Sequence, residues 1–152
     1  MKSYVADFET TTDPNNCYVW AYAIREVSKF DDPSKETIIG TSIDDFMKWC
    51  KEQSNDKVYF HNLKFDGQFI IHWLFTHGFT HITDNNDRAS NTFTTLISDK
   101  GLYYSIEVIF YLNGKNVNKI TFLDSLKLIP LSVDQIGKSF KLPISKLKLD
   151  YD

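Results

Sequence analysis

Apolar and polar residues alternate along this chain in two rhythms, and the rhythm changes mark its elements. Tyr4-Val5-Ala6-Asp7-Phe8-Glu9 is an apolar run with a polar end, the pattern of a buried first strand. Tyr18 to Val27 predicts a second strand and Glu36 to Gly40 a third, with Asp13-Pro14-Asn15-Asn16 and Asp31-Asp32-Pro33-Ser34 in the turns. The period then lengthens. Ser42 has the chemistry of an N-cap, Asp44 and Asp45 suit a first helical turn, and Ile43, Phe46, Met47 and Cys50 form an apolar stripe. Val58-Tyr59-Phe60 predicts a short central strand, followed by a helix with Phe69, Ile70, Trp73, Leu74 and His77 on one face and Gly78 as its stop. Asp84 to Ser90 is a polar loop. Phe93–Ser98, Leu102–Tyr111 and Asn118–Leu123 predict a meander, turning at Asp99-Lys100-Gly101 and Asn113-Gly114-Lys115. A last helix is expected from Val133 to Phe140. Strands, helix, strand, helix and more strands define an α/β chain with a mixed sheet.

Composition narrows this picture. With 152 residues the chain is expected to form one domain, and 42% apolar with 24% charged residues is a globular balance. Cys17 and Cys50 make neither a disulfide framework nor a metal-binding spacing, which fits a reducing, cytoplasmic setting. No apolar run approaches the ~20 residues that cross a bilayer, so no membrane association is expected. The N-terminus runs straight into a strand pattern, which argues against a signal peptide. The net charge of −3 is unevenly spread. Residues 113–152 carry seven lysines against four acids, and residues 1–112 carry ten bases against sixteen acids. A basic tail suits phosphates and an acidic front suits cations, although lysines on a solvated helix produce the same split.

Two segments concentrate the chemistry. Asp7 and Glu9 fall on one face of the first strand, because strand side chains alternate, and they sit at its carboxyl end, where α/β sheets place ligands. His61-Asn62-Leu63-Lys64-Phe65-Asp66-Gly67 follows another strand and opens a helix, so Asp66 projects from a first turn toward the same edge. Three converging acids repel unless a cation lies between them, and hard divalent ions bound through oxygen are the usual answer. Two such ions can activate a water and stabilise a leaving oxygen in phosphodiester cleavage. Any one of these acids alone is more simply a surface or helix-start charge; the combination favours a site.

These residues carry a resemblance. Asp7-Phe8-Glu9-Thr10-Thr11-Thr12 resembles the first exonuclease motif of family B DNA polymerases. His61-Asn62-Leu63-Lys64-Phe65-Asp66 resembles the second, in the form used by the protein-primed polymerases of small linear-genome phages, the phi29 type. Asp124-Ser125-Leu126-Lys127 resembles the Ser-Leu motif that binds single-stranded DNA in those proteins. The similarity runs from Tyr4 to Tyr151.

The resemblance implies an RNase H-like (DnaQ-like exonuclease) fold, a mixed central sheet with flanking helices and an added β-meander. It implies a 3′–5′ proofreading exonuclease domain of a DNA polymerase, using Mg²⁺ or Mn²⁺. Asp7 would bridge two metals, Glu9 would hold the nucleophile-side ion and Asp66 the other. Thr10, Asn62, Phe65, Ser125 and Leu126 would grip the 3′ end of single-stranded DNA, with Lys146 and Tyr151 as further DNA contacts. His61 and Phe69 match positions that face a priming terminal protein. Core packing explains Phe65 and Phe69 as readily, an N-cap role suits Ser125, and Lys148 competes with Lys146 as the phosphate partner. The setting implied is the cytoplasm of a bacterial host.

One family element is missing from these 152 residues. A third motif, Tyr-x-x-x-Asp, supplies a fourth carboxylate and a water-positioning Tyr, and Asp150-Tyr151-Asp152 lacks that spacing. The chain therefore reads as an exonuclease domain, residues 1–152, cut before its last motif, with a polymerase domain in cis if the chain continues. Two other readings stay open: a non-catalytic module that keeps the fold and binds single-stranded DNA or a replication partner, and an unrelated RNase H-like nuclease acting on RNA.

Overall fold

The computed structural model describes residues 1–27, 36–97 and 103–125, and the statements below concern those residues. Leu126, Lys146, Lys148 and Tyr151, together with the helix expected over 133–140, lie outside the described residues. The alternating segments become β1 (Ser3–Thr10), β2 (Val19–Glu26) and β3 (Thr37–Gly40). The first stripe becomes α1 (Ile43–Glu52), then come β4 (Asp56–Phe60) and α2 (Leu63–Thr76). A two-residue strand β5 (Thr80–His81) and a single 3₁₀ turn (Asn85–Asp87) precede β6 (Thr92–Ile97), β7 (Tyr103–Asn113) and β8 (Asn116–Asp124).

Local chemistry explains the ends. The Ser42 side chain accepts the Asp45 N–H at 3.1 Å and caps α1, whose first turn carries Asp44 and Asp45 against the helix dipole. At the end of α2 the Phe79 N–H reaches back to the Leu74 carbonyl at 3.0 Å, a wrap that Gly78 permits with φ +81°. Gly114, at φ +62°, turns β7 into β8.

The strands form one mixed sheet in the order β3-β2-β1-β4-β8-β7-β6-β5. β1 is antiparallel to β2 but parallel to β4, and β4 is parallel to β8; the β6–β7–β8 meander extends the sheet antiparallel. Alternation sends Tyr4, Ala6 and Phe8 to the face that also carries Val58, Phe60, Ile120 and Phe122. The α1 stripe covers it: Phe46 meets Phe8, Tyr22, Phe60 and Phe122 with ring centroids 4.9 to 6.1 Å apart. Helix α2 lies on β4, β7 and β8, and glycine at 67 lets it come close, since a Cβ there would stand 3.1 Å from Ile106 Cδ1. None of the described helices is long and apolar enough to cross a membrane. β5 has no periodicity signal in the sequence because it is two residues long; it exists by borrowing a ladder from β6 through the pairs Thr80–Thr92 and His81–Phe93.

Candidate active site

The parallel pairing of β1 with β4 ends at Ala6 opposite Phe60, yet β1 runs on to Thr10. This overhang, Asp7 to Thr10, leaves a gap beside it that the β4–α2 turn fills. The outcome is an open cleft of about 240 Å³ lined by Asp7, Phe8, Glu9, Thr10, His61, Asn62, Phe65 and Asp66. It lies at the carboxyl ends of two parallel strands, on the side of the overhang away from its partner β2.

Both halves of the acidic group are buried: Glu9 and Asp66 are each 5% exposed, and Asp7 is half-buried. Burial pushes the Asp7 carboxyl up to about 7, the charge of Glu9 adds to the rise, and a hydrogen bond from the Phe8 backbone opposes it. Asp66 is likewise driven well above the carboxylate range, first by burial and then by the Asp7 charge, with Glu9 adding a smaller push. Phe8 bonds to Asp66 as well. Thus three acids separated by up to 59 positions sense one another across one cleft. Among the described residues no three His, Cys, Asp or Glu side chains are already gathered into a metal cage. The donor set is all carboxylate, which matches hard divalent ions and not soft ones.

This electrostatic strain has a sign. A carboxyl whose folded pKa exceeds its unfolded one holds its proton longer when folded, so the folded state is favoured at low pH. The cost appears as pH rises from the ordinary value of 3.8 through about 7. Asp7→Asn removes it. The variant is therefore expected to melt above wild type at pH 8 in metal-free buffer and level with it near pH 4, measured by circular dichroism. A gap of the same size at both pH values would contradict a strained Asp7 carboxyl.

The aromatic and polar neighbours are disposed for contact with something outside. Phe65 is 46% exposed at the cleft, stacked edge-on against Phe69 at 5.6 Å, while Phe69 itself packs partly against the core. Asn62 is exposed, with a left-handed backbone at φ 64°. Thr10 sits at the β1 bulge. His61 is half-buried in the cleft wall, and its Nδ1 has no hydrogen-bond partner among the described residues. Ser125 is buried, with its Oγ likewise unpartnered there, and it does not line the cleft. His72, His77 and His81 stand away from the cleft; His77 stacks on Trp73 at 4.0 Å and His81 meets Thr95 at 3.2 Å. The Phe8 backbone, which no side-chain pattern singles out, bonds to both Asp7 and Asp66, and only the packing of α2 beside β1 brings Asp66 to it.

A mixed sheet of this order, with an acidic cleft where β1 overruns β4, defines the fold of the RNase H-like exonuclease domains. The comparisons with known proteins agree on a lineage. The family described as DNA polymerase type B, organellar and viral, matches residues 47–152, and this chain belongs to it. It is 43% identical over 150 residues to the DNA polymerase of Bacillus phage Nf and 42% identical to that of Bacillus phage phi29. The DNA polymerase of Streptococcus phage Cp-1 is 34% identical over 155 residues. Each match covers 94 to 99% of this chain but 24 to 25% of the relative, so the chain spans about a quarter of their length, the N-terminal quarter. Among solved structures, phi29 DNA polymerase complexed with single-stranded DNA superposes with a TM-score of 0.80 at 41% identity, over 99% of this chain and 25% of that one. Its orthorhombic crystal form gives 0.81.

Proposed function

We propose that this chain is the 3′–5′ exonuclease domain of a protein-primed DNA polymerase, with a divalent-metal site at Asp7, Glu9 and Asp66. The observation that carries the reading is the meeting of these three acids in one cleft with an exposed Phe65 and Asn62. Asp7 and Asp66, both raised first by burial and then by neighbouring carboxylate charge, describe a site built for a positive occupant. Mg²⁺ or Mn²⁺ would be held by Asp7 with Glu9 on one side and Asp66 on the other. When bound, such ions make a nucleophile of water and stabilise the leaving oxygen of the terminal phosphodiester.

The chain's own residues do the rest. Phe65 offers a ring face to a base, and Asn62 and Thr10 offer polar atoms to sugar and phosphate without reading sequence. The resemblance adds Leu126, Lys146 or Lys148, and Tyr151 to that grip, and Ser125 with them although its side chain is buried and does not line the cleft. A priming terminal protein would meet the His61–Phe69 side of the cleft. A relative that has been solved with single-stranded DNA supports this choice of substrate. The fourth carboxylate of the family, on a Tyr-x-x-x-Asp segment, does not occur within these 152 residues. Metal and DNA binding are therefore the direct readouts of this chain, ahead of cleavage.

Fluorescence anisotropy with a short single-stranded oligonucleotide tests the reading. Stacking on one aromatic is worth roughly 1–3 kcal/mol, so Phe65→Ala is expected to weaken binding about 5- to 150-fold with little dependence on sequence. Affinity is expected to fall steeply with salt. Unchanged affinity in the variant would remove Phe65 from the substrate grip. Tight DNA binding in a chain that binds no divalent ion would instead favour the non-catalytic module.

A further inference from the structure

The β4–α2 turn is held in place by a residue outside the cleft. Asp124 ends β8, stands opposite Phe60 in the parallel ladder, and is only 3% exposed. Its carboxylate accepts the backbone N–H of Asn62 at 3.3 Å, across 62 positions of chain. Asn62 occupies the left-handed region, φ 64° and ψ 62°, which Asn tolerates better than most side-chain-bearing residues. The Asn62 side chain makes no capping bond, yet its carbonyl accepts the Phe65 N–H at 3.1 Å. One turn therefore sets both the exposed Asn62 side chain and the start of the helix that carries Phe65 and Asp66.

Alternation separates Asp124 from Asp7 and Glu9. It shares the helix-covered face with Ile120 and Phe122, whereas Asp7 and Glu9 point to the opposite face of β1. The charges that raise Asp66 are those of Asp7 and Glu9. Asp124 instead directs its charge at a backbone amide beside the N-terminus of α2, where a negative group is favoured.

We infer that Asp124 is a positioning residue: by anchoring the Asn62 amide it fixes the left-handed turn, and through that turn it sets where Asn62 and Phe65 meet single-stranded DNA. The DNA part of this inference rests on the proposed function; the anchoring does not. The role calls for a hydrogen-bond acceptor, and charge alone does not fill it. Asparagine can still accept the amide through its side-chain oxygen, and alanine cannot.

The test compares the 152-residue chain with Asp124→Ala and Asp124→Asn, reading amide hydrogen exchange at Asn62 by NMR and anisotropy with an oligo-dT probe. In Asp124→Ala, exchange at Asn62 is expected to quicken about tenfold or more. Oligonucleotide affinity is expected to fall roughly fivefold, while Asp124→Asn stays within about threefold of wild type on both measures. Should the alanine variant unfold, Asp124→Glu, which shifts the acceptor by one methylene and keeps the charge, takes its place. Wild-type exchange and affinity in the alanine or glutamate variant would overturn the inference. So would an asparagine variant no better than alanine. A wild-type chain that binds no oligonucleotide would overturn the proposed function and the DNA part with it, and exchange at Asn62 would still decide the anchoring.

Discussion

Asp7→Ala and Asp66→Ala are each expected to abolish Mn²⁺ binding that the wild-type chain shows, read as the signal of free Mn²⁺ in electron paramagnetic resonance. A divalent ion here would have three carboxylates for protein ligands, and each variant removes one. Even two unit charges 4 Å apart are worth about 4 kcal/mol at an effective dielectric of 20, so affinity is expected to drop roughly a hundredfold or more. Asp87, exposed and away from the cleft, is the control, and Asp87→Ala is expected to bind as wild type does. The same losses of charge are expected to raise the melting temperature at neutral pH without metal, because burial strains both carboxyls. Lost ion binding with gained stability distinguishes a functional acid from a structural one. Equal Mn²⁺ affinity in all four proteins would remove the acids from any metal site.

Phe46→Ala carries the largest expected cost to the fold. Phe46 is fully buried and touches the aromatic rings of Phe8, Tyr22, Trp49, Phe60 and Phe122. Truncating a buried Phe costs about 3–5 kcal/mol, from the lost transfer free energy and from the cavity left behind. A domain of this size holds about 5–15 kcal/mol in all, so roughly a fifth or more of its stability is at stake. Urea unfolding followed by circular dichroism is expected to show a much lower midpoint with an unchanged slope. A shift below about 1 kcal/mol would mean that the surrounding rings close the gap. Because Phe8 and Phe60 flank Asp7 and His61 in sequence, loosening this cluster is expected to weaken oligonucleotide binding too.

The candidate site was legible in its parts. Strand alternation alone put Asp7 and Glu9 on one face, and the change of period after Phe60 put Asp66 in a first helical turn. The family motifs then joined the two segments. Phe65 could not be settled that way, since helical spacing leaves an aromatic beside the stripe equally fit for core or surface. The fold leaves its ring exposed at the cleft. Phe69 shows the opposite outcome, half-buried against the core while its ring edge meets Phe65.

What the sequence determined by itself is whatever near neighbours along the chain can decide. Serine caps α1, glycine ends α2 and turns β7 into β8, and the β-formers of β1 and β4 read as buried strands, because capping, backbone freedom and side-chain alternation act over a few residues. Tertiary structure decided the rest. The parallel register that stops at Ala6–Phe60 opens the cleft, the Phe8 backbone reaches both Asp7 and Asp66, and Asp124 holds the Asn62 turn from 62 positions away. β5 exists only against β6. Each of these pairs groups distant along the chain, and each forms only once the buried face of the sheet has brought the strands into register, since burial rewards the whole arrangement and no short stretch of sequence carries it.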